Sequence, residues 1–219
     1  MFGLLRSSIR CSGVFKAVCA WVLLGASPVL WAGAQQYEPL AASVRAALHK
    51  AVSDAAAPAL MIENEVERNR WLEEMSRRLE RRIPDPAYRT ELLVSVHYEA
   101  TRAGLDPQLV LGLIQVESNF RKYAVSSAGA RGYMQVMPFW LEVMNRSDDN
   151  LFHLRTNLRY GCTILRHYLD IEKGDLFRAL GRYNGSLGKA AYPNLVRNAW
   201  ERHWAWQAPS LVASDIVRK

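Results

Sequence analysis

A single carboxylic acid interrupts the most hydrophobic helix that the sequence encodes. Asp106-Pro107 supplies a capping side chain followed by proline at the first helical position, so a helix opens there and runs to about residue 119. Leu109, Val110, Leu111, Leu113, Ile114 and Val116 make it apolar on nearly every side, which places it in a core. Residues three, four and seven apart share a helix face, so Glu117 lies above Ile114, Leu113 and Val110. Two structural readings exist, an ion pair with an arginine or an exposed last turn. The chemical reading is a general acid, because low-dielectric surroundings disfavour the ionised carboxylate and keep a proton available near neutrality. Protonating a glycosidic oxygen requires such a group.

The elements that must position this acid read as helices almost throughout. Residues 40–57 are alanine-rich and weakly patterned. From 62 to 83, Leu72, Met75, Leu79 and Ile83 recur at three- and four-residue steps on a charged background, an amphipathic helix that Pro84 ends. Asp85-Pro86 starts another helix, which reaches Arg102 and stops at Gly104. Beyond the central helix, a Ser/Gly-rich loop at 126–132 precedes helices at about 138–145, 156–172, 175–182 and 192–206. No alternating strand pattern, internal repeat or low-complexity tract emerges, so the fold class is mainly α, with one helical domain.

Bulk properties narrow the setting. The 219 residues carry a net charge of +7, and half of them are hydrophobic, as in an ordinary globular protein. The charged residues before position 35 are Arg6, Arg10 and Lys16. They precede the apolar run 17–24, Pro28 and the small residues Ala32-Gly33-Ala34, the pattern of a secretory signal cleaved near Ala34, with an uncleaved anchor as the alternative. The remainder holds 25 basic and 21 acidic residues, a mild attraction to anionic polymers. Nucleic acid is excluded as the partner, because the arginines of 77–82 alternate with acids and no recognition motif accompanies them. Past position 35 only Cys162 remains, so no intrachain disulfide and no multi-thiolate metal site is expected. Cys162 reads as a small buried residue.

Four segments, in order, resemble the soluble lytic transglycosylase (SLT-domain) family, whose catalytic domain is lysozyme-like and related to goose-type lysozyme. They are Glu117-Ser118-x-Phe120, then Gly129-Ala130-Arg131-Gly132-Tyr133-Met134-Gln135-Val136-Met137-Pro138, then Asn157-x-x-x-Gly161 with Tyr168-Leu169, and Tyr183-Asn184-Gly185. The resemblance covers residues 90–206; beside the signal at 1–34 it leaves a helical N-terminal extension at 35–89, which matches no family pattern, and a tail at 207–219. Two glycines flanking the loop permit positive backbone angles and the close approach of a sugar, or simply a turn between helices. Gln135 offers a donor and an acceptor to an N-acetyl or hydroxyl group. Met134 and Met137 line a cleft or pack a core. Ser118 bonds the substrate or caps its own helix. Tyr183 positions the Glu117 carboxyl, and Asn184 binds substrate or braces its loop. Tyr133 replaces the family's usual leucine, either as an aromatic sugar platform or as filling of the same space. Arg182 replaces a small residue.

By resemblance, the substrate is the glycan strand of peptidoglycan and Glu117 acts first as acid and then as base. The muramoyl 6-hydroxyl closes a 1,6-anhydro ring, so no metal or cofactor is expected. An intramolecular nucleophile benefits from a high effective molarity. A hydrolytic goose-type lysozyme is the alternative, with Glu142, Asp148 or Asp149 as the second carboxylate. A noncatalytic peptidoglycan-binding protein is another. The implied location is the periplasm or cell envelope, in general wall turnover or beside an assembly or secretion apparatus.

Overall fold

The computed structural model describes residues 35–53 and 55–207, so the expected signal at 1–34 and the tail from 208 to 219 lie outside the described residues. The order is α1 (Ala42–Val52), α2 (Glu65–Leu79), α3 (Pro86–Arg102), α4 (Pro107–Ser118), α5 (Phe139–Val143), α6 (Leu154–Ile171), α7 (Leu176–Tyr183) and α8 (Ala191–Ala199). A π-helical turn at Trp200–Trp204 continues α8. Among the described residues β-structure is limited to two isolated bridges, Val125 with Arg131 and Arg131 with Val136. The chain is mainly α.

The helix starts follow their capping chemistry. Asp85 accepts from the Ala87 amide at 2.9 Å, and Asp106 accepts from the Gln108 amide at 2.6 Å. Asn64 caps α2 and Asp175 caps α7 in the same way. Asn119 ends α4 in the left-handed region at φ 48°. Four spans expected from sequence are shorter here, 138–145 keeping only α5. The segment 40–57 keeps only α1, and 62–83 keeps only α2 because its cap falls at Asn64 and its last residues form a turn. The span 192–206 divides into α8 and the π turn.

Helix α4 is the axis of the molecule, packed on α3, α8 and the π turn. Gly112 makes one of these contacts possible: a Cβ there would stand 2.8 Å from the Trp200 backbone nitrogen. The boundary expected between 89 and 90 falls inside α3, and a single core runs through both sides of it, from Leu48 and Trp71 to Leu113 and Trp204. Buried residues of the segment 35–89 thus pack in the same cluster as those that follow it. Buried Glu99 pairs with Arg102 and Arg159, and those arginines donate to the Ala51 and Val52 carbonyls at the end of α1. Buried Arg89 likewise ties α3 to Ser76 and to the carbonyls of Ile83 and Pro84.

Candidate active site

Glu117 sits in the last turn of α4 and is 2% exposed, on the face that the helical spacing assigns to it. Its Oε1 accepts a hydrogen bond from the Tyr192 hydroxyl. Tyr192, Val196 and Ala199 form the buried face of α8, and a buried phenol requires a partner. That spacing is the sequence signal for Tyr192, which lies outside the four motif segments. The Tyr183 hydroxyl, expected to hold Glu117, instead donates to the Met134 carbonyl at 2.7 Å. Burial first, and the charge of Glu117 second, push both tyrosine hydroxyls well above their ordinary range, so both remain donors.

The segment from Gly129 to Pro138 folds as a tight loop around Asn157. The Asn157 amide nitrogen donates to the carbonyls of Arg131 and Leu151, each at 2.8 Å, while its oxygen accepts from the Met134 amide at 2.8 Å. Gly132 adopts φ 75°, and a Cβ there would lie 2.3 Å from that amide nitrogen. Gly161, one turn beyond Asn157 on α6, leaves the space into which Met134 packs. The spacing Asn157-x-x-x-Gly161 is thus a clamp: one residue bonds the loop and the other admits its side chain.

Gln135 is held at φ 49°, a sparsely populated conformation for a non-glycine residue. Its amide nitrogen donates to the carbonyls of Gly132 at 2.9 Å and Ala124 at 3.1 Å. Its side-chain oxygen is buried without a hydrogen-bond partner, and so is that of Asn184, whose nitrogen donates to Ser186 at 3.1 Å. Unused buried acceptors are uncommon in folded proteins. They suit a ligand bearing amide N–H or hydroxyl groups.

Other expected site residues are turned inward. Ser118 is fully buried; its hydroxyl lies 2.8 Å from the Tyr133 carbonyl and 3.2 Å from the Ile114 carbonyl of its own helix. Tyr133 is buried too, its hydroxyl 2.7 Å from that of Tyr88, and so fills space rather than presenting a ring. Met134 is fully buried. Gln35 was not expected at all. Its side-chain oxygen accepts from Trp140 Nε1 at 2.9 Å and from the Met137 amide at 3.3 Å, and its nitrogen reaches the Gln135 carbonyl at 3.4 Å. No sequence pattern marks it.

The candidate second acids are engaged elsewhere. Asp149 is bonded by Arg146 and by the Tyr160 hydroxyl, and the arginine first of all holds its carboxyl below the usual range. Glu142 is exposed on α5, where it lines a hollow with Ala42, Arg45 and His49 of α1, and Asp148 is exposed. The charge of Glu117 acts on both Tyr183 and Tyr192. Cys162 is buried, and desolvation pushes its thiol far above the ordinary range. Among the described residues no group of three or more metal-ligating side chains converges. No described helix is long and apolar enough to cross a membrane. A hollow of about 750 Å³ between α1 and α6 shares no lining residue with the Glu117 cluster.

Comparison with known proteins meets this geometry at the same residues. The family model described as the transglycosylase SLT domain matches residues 95–200. A "Transglycosylase" of Enterobacteria phage PRD1 is 36% identical over 86 residues, covering 39% of this chain and 31% of the phage protein. The "Membrane-bound lytic murein transglycosylase C" of Histophilus somni (strain 2336) is 37% identical over 105 residues, covering 41% of this chain and 29% of that protein. The protein of that name in Actinobacillus pleuropneumoniae serotype 5b (strain L20) is 50% identical over 48 residues, 22% of this chain and 13% of its own length. The chain thus spans less than a third of the length of these curated relatives. No solved structure matches at a significant level.

Proposed function

Because residues 95–200 match the transglycosylase SLT domain, we propose that this chain is a peptidoglycan lytic transglycosylase in which Glu117 serves as acid and then as base. The observation that carries the reading is the placement of Glu117: a buried carboxyl at the end of an apolar helix, held by the Tyr192 hydroxyl. Hydrolytic glycosidases generally need two carboxylates. With Asp149 bonded to Arg146 and Tyr160, and Glu142 and Asp148 exposed, a reaction whose nucleophile comes from the substrate is the better fit.

In the first step the Glu117 carboxylic acid protonates the oxygen joining N-acetylmuramic acid to N-acetylglucosamine, and the bond from that oxygen to the muramoyl anomeric carbon breaks. The muramoyl N-acetyl carbonyl shields the positive charge that develops on that carbon. In the second step the Glu117 carboxylate removes the proton of the muramoyl 6-hydroxyl as its oxygen bonds to the anomeric carbon. Glu117 ends protonated, the 1,6-anhydro ring is closed and no water is consumed. Tyr192 holds the carboxyl in one orientation through both steps. The unused amide oxygens of Gln135 and Asn184 accept from substrate N–H or O–H groups, and Ser118, Tyr133, Met134 and Tyr183 build the wall behind them. The setting is the cell envelope, reached by export with cleavage near Ala34, in wall turnover or in opening the wall for an envelope-spanning apparatus.

The test is digestion of isolated peptidoglycan by the purified chain and by Glu117→Gln, with mass spectrometry of the released fragments. Fragments one water lighter than hydrolysis products, without reducing muramic ends and absent with the variant, are expected. Reducing ends would make the enzyme a hydrolase, and no release by the unaltered chain would replace catalysis with binding.

A further inference from the structure

Tyr133 is buried, but an aromatic surface lies beside it. Tyr123 is 70% exposed, and its ring centre lies 5.9 Å from that of the half-buried Phe152. The Lys122 ammonium stands 5.5 Å from the Tyr123 ring and 5.6 Å from the Tyr88 ring, and Tyr88 in turn meets Tyr133. On the other flank, the Arg131 guanidinium lies 6.0 Å from the Phe152 ring. Among the described residues, neither Lys122 nor Arg131 forms an ion pair.

We propose that Tyr123 and Phe152, flanked by Lys122 and Arg131, form a distal subsite for a glycan strand bearing acidic stem peptides. The occupant rests on the transglycosylase reading. Single exposed aromatics are common on protein surfaces. Here two rings touch, between two cations that form no ion pair. Aromatic faces accept the apolar C–H face of a pyranose ring, and unpaired cations complement carboxylates.

The rings are also fixed to the candidate site. The carbonyl of Ala124, next to Tyr123, accepts from the Gly132 amide at 2.9 Å and from the Gln135 side chain at 3.1 Å. The carbonyl of Leu151, next to Phe152, accepts from Asn157, which also bonds Arg131 and Met134. Both ring-bearing segments are therefore anchored to the loop that carries Gln135. Such anchoring keeps a subsite at constant distance from the acid and lowers the cost of ordering it on binding.

Sedimentation of the full chain with insoluble peptidoglycan tests the subsite independently of cleavage, if run on the Glu117→Gln background. Adding Tyr123→Ala should weaken binding about 5- to 10-fold, as expected for losing one aromatic contact, while Tyr123→Trp should restore it. Lys122→Gln with Arg131→Gln should weaken binding to intact strands but not to strands stripped of peptides. Unchanged binding with Tyr123→Ala would overturn the subsite, and equal loss on stripped strands would overturn the acidic-peptide assignment. Failure of the unaltered chain to release fragments would instead overturn the catalytic reading, with Tyr123-dependent binding still measurable.

Discussion

The Tyr192 hydroxyl donates to Glu117 Oε1 across 75 positions of sequence, joining the first turn of α8 to the last turn of α4. The phenol stays protonated because its own burial and the nearby carboxylate both oppose ionisation. Tyr192→Phe keeps the packing of α8 and removes only the donor. A hydrogen bond to a charged group is worth about 1.5–3 kcal/mol, so kcat on peptidoglycan should fall about 10- to 100-fold. KM and thermal stability should change little. A kcat within twofold of the unaltered chain would reduce Tyr192 to packing.

The loop clamp gives a second prediction. At Gly161 an added Cβ would stand 2.4 Å from Met134 Sδ, so Gly161→Ala must displace Met134 and with it the backbone of Gln135. Overpacking of this kind costs about 1–3 kcal/mol. Asn157→Ala leaves the Met134 amide and the Leu151 carbonyl without a partner, at a comparable cost for each, while the Arg131 carbonyl keeps the Val136 amide. Both variants should lose activity well beyond their loss of stability, as measured by turnover against the denaturation midpoint. Activity that fell only in step with the folded fraction would deny the loop a positioning role.

Those two residues also mark what the sequence made legible. Capping signals placed α3 and α4 within a residue, and the apolar run of α4 announced a buried Glu117. Asn157 and Gly161 were visible as a spacing, but the reason for it needs the loop that they grip. Tyr183 and Tyr192 could not be told apart as partners of Glu117, because helical periodicity says that both are buried and not which hydroxyl reaches which oxygen. Gln35 left no trace, since its bonds to Trp140 and Met137 span more than 100 positions.

That bond network makes Gln35 a useful probe. Gln35→Ala leaves the buried Trp140 Nε1 without its acceptor, and the expected cost is about 1–3 kcal/mol. Trp140 fluorescence should report the change together with the lower midpoint. An unshifted midpoint would mean that Gln35 contributes nothing to holding α5.

In α3, Glu99 neutralises two arginines in a fully buried position. Removing one member of a buried ion network strands the others, at about 3–5 kcal/mol. Glu99→Ala should therefore destabilise the domain by that amount and release α1 first, because Arg102 and Arg159 hold its final carbonyls. Hydrogen exchange across residues 42–52 is the direct measurement. Protection there equal to that of the unaltered chain would separate α1 from the network.

Histidine burial sets the pH dependence of stability. His97 packs edge-on against Trp71 with ring centres 5.0 Å apart, and its Nδ1 accepts from the Met61 amide at 3.3 Å. Desolvation lowers its pKa, and burial does the same to His167. Between the folded and unfolded values the unfolded chain binds more protons, so stability is full above about pH 6.5 and declines as the pH falls toward the folded values. Glu74, Asp149 and Glu172 are held below the ordinary carboxylate range by their arginine partners, Glu74 at about 2, so their titration lies below the histidine window. Each histidine contributes a slope of at most about 1.4 kcal/mol per pH unit. His97→Gln retains an acceptor for Met61 and cannot be protonated. Denaturant titrations at pH 7.5 and 5.5 should show a smaller loss of stability in that variant than in the unaltered chain. An equal loss in both would move the acid sensitivity away from His97.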